Sequence, residues 1–470
     1  MKKVSVALAV LLLSGCSVGD PYVRPEAKPP AAWKNPASPQ AQAAWPSAEW
    51  WRAFGSVRLD EMMAQAVKTN FDLAAAMARV RQADAQATIA GAPLLPSLSG
   101  SAGVTRSRSS MAASSSSSSS ARPITKATHS TSTNTLLSAS YEVDFWGKNT
   151  AAAGAAEAAA QASRFDQQTV YLTVHSSIAT TYFDILGLQE RLRLARESIT
   201  NSESVLAVIR DRQMAGTATS LDVTQQESVV VGQRAALPPL EQQMRQDFNA
   251  LAILLGRMPE ELTLVPERLD DLRLPIPAPG LPSELLMRRP DVQAAEAQLR
   301  AANADVAVAR AAWFPSIQLT AQTGFQSLDL LRMMRHDSLL WSVASSLTQP
   351  IFDNGKIAGT VEQKRARFDE LAQTYRKAVV SSFSDVENAL IAVEKTAEAV
   401  TAQKLAESTA RRGFEIAQAQ MAGGIVDVTS VLNTQKTLFS SQDALAQARL
   451  LHLQALVGLY KAMGGGWQAQ

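Results

Sequence analysis

Two long stretches of the chain, residues 148–215 and 356–421, contain no proline, and this constrains the fold more than any other feature. No proline lies between Pro123 and Pro238, and none follows Pro350. The first stretch also repeats an apolar residue every seven positions, a spacing typical of helices that pack along a narrow seam. This row contains Ile178, Ile185, Leu192, Ile199 and Leu206. Each stretch is therefore predicted to form one helix of about 65 residues, extending on the order of 100 Å.

The composition excludes several classes of function. The chain has 45 Lys and Arg residues against 43 Asp and Glu residues, a net charge of +2, and shows no concentrated basic face of the kind that nucleic-acid binding requires. The four histidines are scattered without metal-ligand spacing, and no Ser/His/Asp grouping or phosphate loop is present. We therefore expect no enzyme activity, no metal site, no cofactor and no nucleic-acid partner.

The N-terminus has the pattern of a bacterial lipoprotein signal peptide, predicted over residues 1–15. Two lysines precede an apolar run, Val4 to Leu13, that is too short to span a bilayer as a helix. The following Ser-Gly-Cys16 resembles a lipobox, in which the Cys16 thiol carries a covalent lipid that tethers the protein to a membrane. An ordinary secretory signal with an incidental cysteine is the alternative. By similarity to lipoprotein sorting, Ser17 indicates the outer membrane.

The remaining chain contains two copies of one unit. A proline-rich extended tail over 16–56 leads to the first copy at 57–256, a proline-rich connector at 257–282 separates it from the second at 283–463, and a short tail, 464–470, follows. Each copy is predicted to contain a helix, a β-hairpin, a long helix and a return helix. The predicted strands are 97–108, 134–146, 316–326 and 339–350; the long helices are 148–215 and 356–421; the return helices are 219–256 and 427–463; and a helix at about 57–91 opens the first copy.

Matched short motifs support this duplication. Pro96-Ser-Leu recurs as Pro315-Ser-Ile 219 residues later, and Trp146-Gly-Lys recurs as Asn354-Gly-Lys 208 residues later. In the return helices, Leu221-Asp222-Val223 aligns with Val426-Asp427-Val428 at an offset of 205. The same elements therefore occur twice in the same order.

The predicted strands alternate between apolar and polar residues. In 316–326, Ile317, Leu319 and Phe325 alternate with Gln318 and Gln322. Ten residues with this period suit a transmembrane β-strand, although an ordinary half-buried hairpin has the same period. Two matching hairpins in a lipoprotein favour the membrane interpretation.

Four strands cannot close a barrel by themselves. Open sheet edges are not tolerated in lipid, and spanning barrels have at least 8 strands. If the strands span, the chain must therefore oligomerise, and three copies would supply 12 strands and a useful lumen. The rows of Gln, Ser and Thr would line that pore, and the loops 107–130 and 328–337 would face outside.

In this order, the motifs resemble the outer membrane efflux proteins of the TolC family, in the NodT-like lipoprotein branch. The resemblance covers essentially the whole mature chain. It is carried by the lipobox, by Trp50-Trp51, by the paired Pro-Ser strand starts and by the ending Leu459–Trp467. The turns Asp144–Lys148 and Phe352–Lys356 also match.

The resemblance implies a mainly α-helical protein with a membrane β-barrel. In the family, a homotrimer forms a 12-stranded barrel in the outer membrane of a Gram-negative bacterium, above an α-helical barrel in the periplasm. Its members are exit ducts of tripartite drug and metabolite exporters, with a periplasmic adaptor and an inner-membrane pump, often of the resistance-nodulation-division class. The alternative function is a lipid-anchored coiled-coil spacer or adhesin without a pore.

Gating is expected at the two turns that follow the long helices. Glycines permit a tight reversal there, and the resemblance implies a ring of carboxylates at the closed tip. Asp427 is the candidate, although Val426 occupies the place that matches the acid of other lipoprotein members. Charged residues nearby are candidates for interhelix ion pairs, with solvated surface charge as the simpler interpretation. The candidate set is Asp427, Val426, Asp222, Arg210, Asp211, Arg212, Arg411 and Arg412 for the gate, and Gly216, Gly423 and Gly424 for the turns.

Overall fold

The computed structural model describes residues 18–26, 29–34, 45–108, 129–262, 267–275, 280 and 282–467. The predicted signal peptide, the lipid-attachment residue Cys16 and most of the loop 107–130 lie outside these residues. The described helices and strands follow in chain order. They are α1 (Val57–Thr69), α2 (Phe71–Gly91), β1 (Ser97–Arg108), β2 (His129–Val143), α3 (Lys148–Met214), α4 (Ser220–Ala235), α5 (Leu237–Leu254), α6 (Pro282–Arg288), α7 (Pro290–Ala311), β3 (Ser316–Ser327), β4 (Leu339–Thr348), α8 (Lys356–Ala422) and α9 (Val428–Ala462).

The long helices α3 and α8 each contain 67 residues. Each begins directly after a glycine with positive φ, Gly147 in the first copy and Gly355 in the second. An aspartate caps each start: Asp144 accepts the backbone N–H groups of residues 149 and 150, and Asp353 accepts that of residue 357. The glycine releases the chain from the strand, and the carboxylate satisfies amides that have no partner inside the helix.

The predicted helix over 57–91 is two helices. The backbone turns extended at Asn70, which ends α1 and caps α2 by accepting the N–H of Leu73 through its side-chain oxygen. Asparagine favours such a cap because its short side chain competes with the helix for backbone hydrogen bonds.

The predicted return helix 219–256 is also divided, into α4 and α5 at Ala236. Pro238 and Pro239 occupy the first turn of α5, where a missing N–H costs nothing, whereas inside a continuous helix they would remove ladder bonds. The second copy has no proline at this point, and α9 runs unbroken from Val428 to Ala462.

The chain divides into two compact units, and each unit draws on both copies of the repeat. The first comprises residues 1–24, 82–161 and 297–373, and the second comprises residues 25–81, 162–296 and 374–470. The repeats are thus units of sequence but not separate compact bodies.

The first unit holds a four-stranded antiparallel sheet in the order β1-β2-β3-β4. Each hairpin pairs strands of one copy, and the central β2–β3 pairing joins the two copies, from Val143 opposite Ile317 to Thr133 opposite Ser327. At Gly324 the strands approach so closely that a Cβ would lie 2.1 Å from the carbonyl oxygen of Thr135. Glycine is therefore required at this position.

The main hydrophobic core lies in the second unit and is rich in aromatic side chains. Trp50 stacks on Tyr460 with 5.2 Å between ring centroids, and Trp51 stacks on His175 at 4.9 Å. Burial lowers the pKa of His175, which keeps this ring neutral. The Trp50-Trp51 pair that follows the tail is thus a core anchor, each indole at most 5% exposed.

Candidate functional site

The two turns after the long helices share one backbone design. Gly216 and Gly424 both adopt positive φ, 77° and 74°, at the end of α3 and α8. In each turn an amide reaches back five residues to a helix carbonyl, Thr217 N–H to Arg212 and Ile425 N–H to Gln420. This is the left-handed helix ending that glycine permits without steric cost.

In the first turn, a hydroxyl caps the return helix and an acid completes the cap. Thr219 is the N-cap residue of α4 and its side chain accepts the N–H of Asp222 at 3.2 Å. The Asp222 carboxylate in turn accepts the backbone N–H of Thr219 at 2.7 Å and its hydroxyl at 2.8 Å. This is a capping box, which satisfies two otherwise unpaired donors.

In the second turn the acid itself is the N-cap residue. Asp427 accepts the N–H of Ser430 at 2.9 Å and its hydroxyl at 2.7 Å. These hydrogen bonds, first that from the Ser430 hydroxyl, lower the pKa of the exposed Asp427 carboxyl below its usual value. The carboxylate is thus ionised at neutral pH and is engaged in holding the helix end.

The alignment of Asp222 with Asp427 is wrong as a structural equivalence. The long helices, the turn glycines and the N-cap residues all correspond at an offset of 208 residues, so that Thr219 matches Asp427 and Asp222 matches Ser430. The 205 offset arose from a chance repeat of Asp-Val flanked by aliphatic residues. Hydroxyl and acid have therefore exchanged places between the two caps.

A small apolar cluster lies beneath the turns and ties α3, α8 and α9 together. Its buried members are Val205, Ile209, Ala417, Met421, Val428, Val431 and Leu432. Val426 is half-buried and packs against this cluster. The place that resemblance assigns to a gate acid is thus partly engaged in local packing.

The charged candidates make local contacts. Arg210 pairs with Glu227 of α4 at 2.6 Å, and both side chains are about half exposed. Arg411 pairs with Glu407 one turn earlier on its own helix. Asp211 and Arg412 are exposed. Exposed pairs of this kind contribute little to stability.

Arg212 joins the two turns, a contact that the expectation of an ion pair missed. Its Nη2 donates to the carbonyl oxygen of Met421 at 2.5 Å, at the last turn of α8. The carbonyls at a helix C-terminus lack partners and carry partial negative charge, so a guanidinium is favoured there. Basic residues in the last helical turn are a sequence signal for such a contact, but the acceptor helix is not evident from sequence.

Three large apolar side chains are exposed on the turns: Met214, Leu221 and Ile425, at 80%, 63% and 75% exposure. Gly423, adjacent to them, has an ordinary backbone conformation, so the reversal depends on Gly424 rather than on both glycines. Exposed apolar side chains at a loop tip are typical of a contact surface.

The sheet separates apolar from polar residues across all four strands, as the alternation predicts. The pairing register places Leu98, Ala139, Ala321 and Val343 in one cross-strand row. Ser99, Ser138, Gln322 and Ser342 form a row on the opposite face. Both faces are largely exposed in the single chain, with Trp341 and Val343 about three-quarters exposed. Within one chain, β1 and β4 are also open edges.

None of the helices in the described ranges combines the length and apolar character that crossing a bilayer requires. Over the same residues, no group of three or more His, Cys, Asp or Glu side chains is arranged to hold a metal ion.

Comparison with known proteins relates this arrangement to efflux channels. The model of the outer membrane efflux protein family matches residues 62–257 and 281–465. The chain is 41% identical to the pyoverdine export outer membrane protein OpmQ of Pseudomonas aeruginosa, over 100% of this chain and 98% of that protein. It is 32% identical to the toluene efflux pump outer membrane protein TtgF of Pseudomonas putida, over 98% and 96%.

A solved structure shows the same fold. The open state of the MtrE outer membrane channel of Neisseria gonorrhoeae superposes with a TM-score of 0.86 at 28% identity, covering 96% of this chain and 98% of that one.

Proposed function

Because the chain belongs to the outer membrane efflux protein family, we propose that three copies close a 12-stranded barrel around one export pore. Members of this family are outer-membrane efflux channels of tripartite pumps, and this protein is such a channel. The observation that carries the trimer is the sheet of four strands with two open edges, one apolar face and one polar face. In lipid, β1 of one chain must pair with β4 of another.

The polar face is proposed to line the pore. Its rows consist of Ser, Thr and Gln, which hydrogen-bond water without presenting a fixed charge to the cargo. The apolar face, with Leu98, Trp341 and Val343, then meets lipid. Such a pore conducts passively, and the energy for export comes from the pump.

The partners are proposed to be a periplasmic adaptor and an inner-membrane pump of the resistance-nodulation-division class. Relatives are named as outer membrane components of efflux pumps, which supports a multicomponent assembly. The exposed Met214, Leu221 and Ile425 at the turns offer the adaptor an apolar contact.

The turns are proposed to form the gate. Opening would separate the ends of α3 and α8, which the Arg212–Met421 hydrogen bond ties together. Asp427 would place a negative charge at each of three positions about the axis, while its cap bonds to Ser430 fix its position. Asp222 lies three residues further into its helix than the corresponding Asp427, so the two acids would form separate levels.

The covalent lipid at Cys16 remains a proposal, supported by the lipobox pattern. Mass spectrometry of the purified protein tests it. A mature chain that begins at Cys16 with added acyl mass is expected, and a free thiol at that residue would contradict the anchor.

The cargo is proposed to be a siderophore of the pyoverdine type. The relatives named for pyoverdine export are 41% identical to this chain, whereas those named for toluene or solvent efflux are about 32% identical. Deleting the gene should reduce siderophore in the medium of iron-starved cells, and the intact gene should restore it. Unchanged siderophore with increased sensitivity to toluene would instead assign a solvent cargo.

Planar-bilayer recording tests the channel with a matched pair of glycine variants. The wild type should insert and conduct. Gly324→Val places a side chain against the Thr135 carbonyl and should abolish insertion, because it breaks the β2–β3 pairing. Gly100→Val, which meets open space on the apolar face, should conduct as the wild type does. A wild-type protein that gives no conductance would support the spacer alternative.

A further inference from the structure

The apolar face of the sheet ends in basic residues at one margin. Along β1, alternate residues on this face run Leu98, Gly100, Ala102 and Val104, and then Arg106 and Arg108. This margin is the end at which the β1–β2 and β3–β4 connections lie. On the opposite face the same margin holds only uncharged Thr105, Ser107, Ser130 and Ser132. The positive charge is thus confined to one side of the sheet.

The β3–β4 loop folds towards the same face. Thr135 pairs with Ala102, so it lies on the apolar side, and its hydroxyl contacts the Met333 sulfur at 3.7 Å. The loop carries two further arginines, Arg332 and Arg335, which are both exposed. We call Arg106, Arg108, Arg332 and Arg335 the basic rim.

The loop is also strongly apolar. Leu331 is 93% exposed and Met334 is 70% exposed, between the two arginines or beside them. Leu328 and Leu330 are exposed as well. Alternation of exposed Leu and Met with Arg is the pattern of segments that lie at a lipid interface, where apolar side chains enter the acyl region and cations remain at the headgroups.

Two carboxylates face the basic rim. Asp329 lies 3.9 Å from Arg332, with both side chains more than half exposed, and it also caps the short 3₁₀ helix Leu330–Arg332. Asp337 follows in the same loop. Four arginines against two acids leave an excess of positive charge. Guanidinium groups bind phosphate through paired hydrogen bonds, which lysine does not match.

We propose that the basic rim binds the phosphate groups of anionic lipids in the outer leaflet, with the loop leucines inserted among their acyl chains. This inference rests on the proposed function, because it takes the apolar face as the side that meets lipid. The site explains why the charges lie on the lipid side and not in the pore. It would fix the depth of the barrel in the membrane.

Native mass spectrometry of the purified full-length protein with diphosphoryl lipid A, and with its dephosphorylated form, tests the site. The wild type should prefer the phosphorylated lipid. Exchange of all four rim arginines for glutamine should reduce that preference on the order of ten- to hundredfold. A matched variant that removes the same charge from exposed lysines elsewhere (Lys68, Lys377, Lys404 and Lys436, each to Gln) should keep it.

The outcomes separate the two proposals. Equal binding of both lipids by a conducting wild-type trimer overturns the rim site alone, as does a rim variant that retains the wild-type preference. A rim variant that loses trimers while keeping its lipid preference also overturns it, because the arginines would then serve subunit contact. A wild-type protein that neither assembles nor conducts contradicts the proposed channel itself.

Discussion

The two turns that end the long helices have the same backbone and opposite cap chemistry. Both rely on a left-handed glycine, and their N-cap residues correspond at the 208-residue offset. The first turn uses a Thr219 hydroxyl at the N-cap and an Asp222 carboxylate three residues later. The second uses an Asp427 carboxylate at the N-cap and a Ser430 hydroxyl three residues later. The pair of groups is preserved, but its order is reversed.

This reversal shows that one side chain can serve both stability and the gate. Three residues of helix correspond to about 4.5 Å along the axis, so the two acids lie at different levels relative to their own turns. Each carboxylate is already held by backbone N–H groups and hydroxyls. A change in charge at either site therefore also changes a helix end, and the two effects must be separated by choice of substitution.

The largest expected effect is the loss of a turn glycine. Gly216→Ala and Gly424→Ala should each destabilise their turn by about 1–2 kcal/mol, because a Cβ is disfavoured at positive φ. Hydrogen exchange of the turn amides should accelerate accordingly, and by similar factors in the two turns. Gly232→Ala, inside α4 with open space around it, should instead leave exchange unchanged or slower. A strong effect in only one turn would break the backbone equivalence.

The next effect concerns the contact that makes the turns unequal. Arg212→Gln should loosen the end of α8 by about 1–1.5 kcal/mol, because it removes a charged donor from the Met421 carbonyl. Residues near 417–425 should exchange faster, and channels should open more readily in bilayers. Gln420→Ala, at the corresponding place in the second copy, is the control. Equal effects of both changes would show that the tie between the turns contributes nothing specific.

The caps should respond differently to conservative substitutions. Thr219→Ala should cost about 1 kcal/mol of local stability at the start of α4. Asp427→Ala should loosen the start of α9, whereas Asp427→Asn should keep the cap, because asparagine serves equally well at an N-cap. If Asp427→Asn exchanges like wild type but changes cation selectivity, charge and cap are separate roles. Loosening by Asp427→Asn equal to that by Asp427→Ala would refute the cap geometry.

Acid should produce the smallest effect, and in the second turn. The pKa of Asp427 is lower in the folded protein than in the unfolded chain, so its cap contribution is present above about pH 4 and is lost as the pH falls through the lowered value. Exchange at 428–432, corrected for intrinsic rates, should therefore rise only in strong acid. Asp427→Asn should remove this dependence. A midpoint near pH 6 would assign the transition to another group.

Much of the fold follows from sequence because its signals are long and periodic. The 67-residue helices were predicted from the absence of proline and from a seven-residue apolar row whose members, such as Ile178 and Ile185, are buried. Strand alternation predicted the two faces of the sheet, because a period of two fixes the side on which each residue lies. Even the 208-residue offset was visible in the Trp146-Gly-Lys match.

What escaped prediction depends on single residues whose effect is local. Asn70 and the Pro238-Pro239 pair divide helices that periodicity alone would continue. The cap equivalence was missed because Asp-Val recurs by chance near the true match. Arg212 was recognised as a candidate, but its partner is a backbone carbonyl, and no side-chain pattern identifies one.

The subunit count of the purified protein tests the central claim most directly. One chain has a mass of 50.4 kDa and a sheet with two open edges, so the claim requires three chains per particle. Light scattering in detergent, with the detergent contribution removed, should give three times the mass of the mature chain, and the same particles should conduct in planar bilayers. A monodisperse, non-conducting monomer or dimer would contradict the closed barrel.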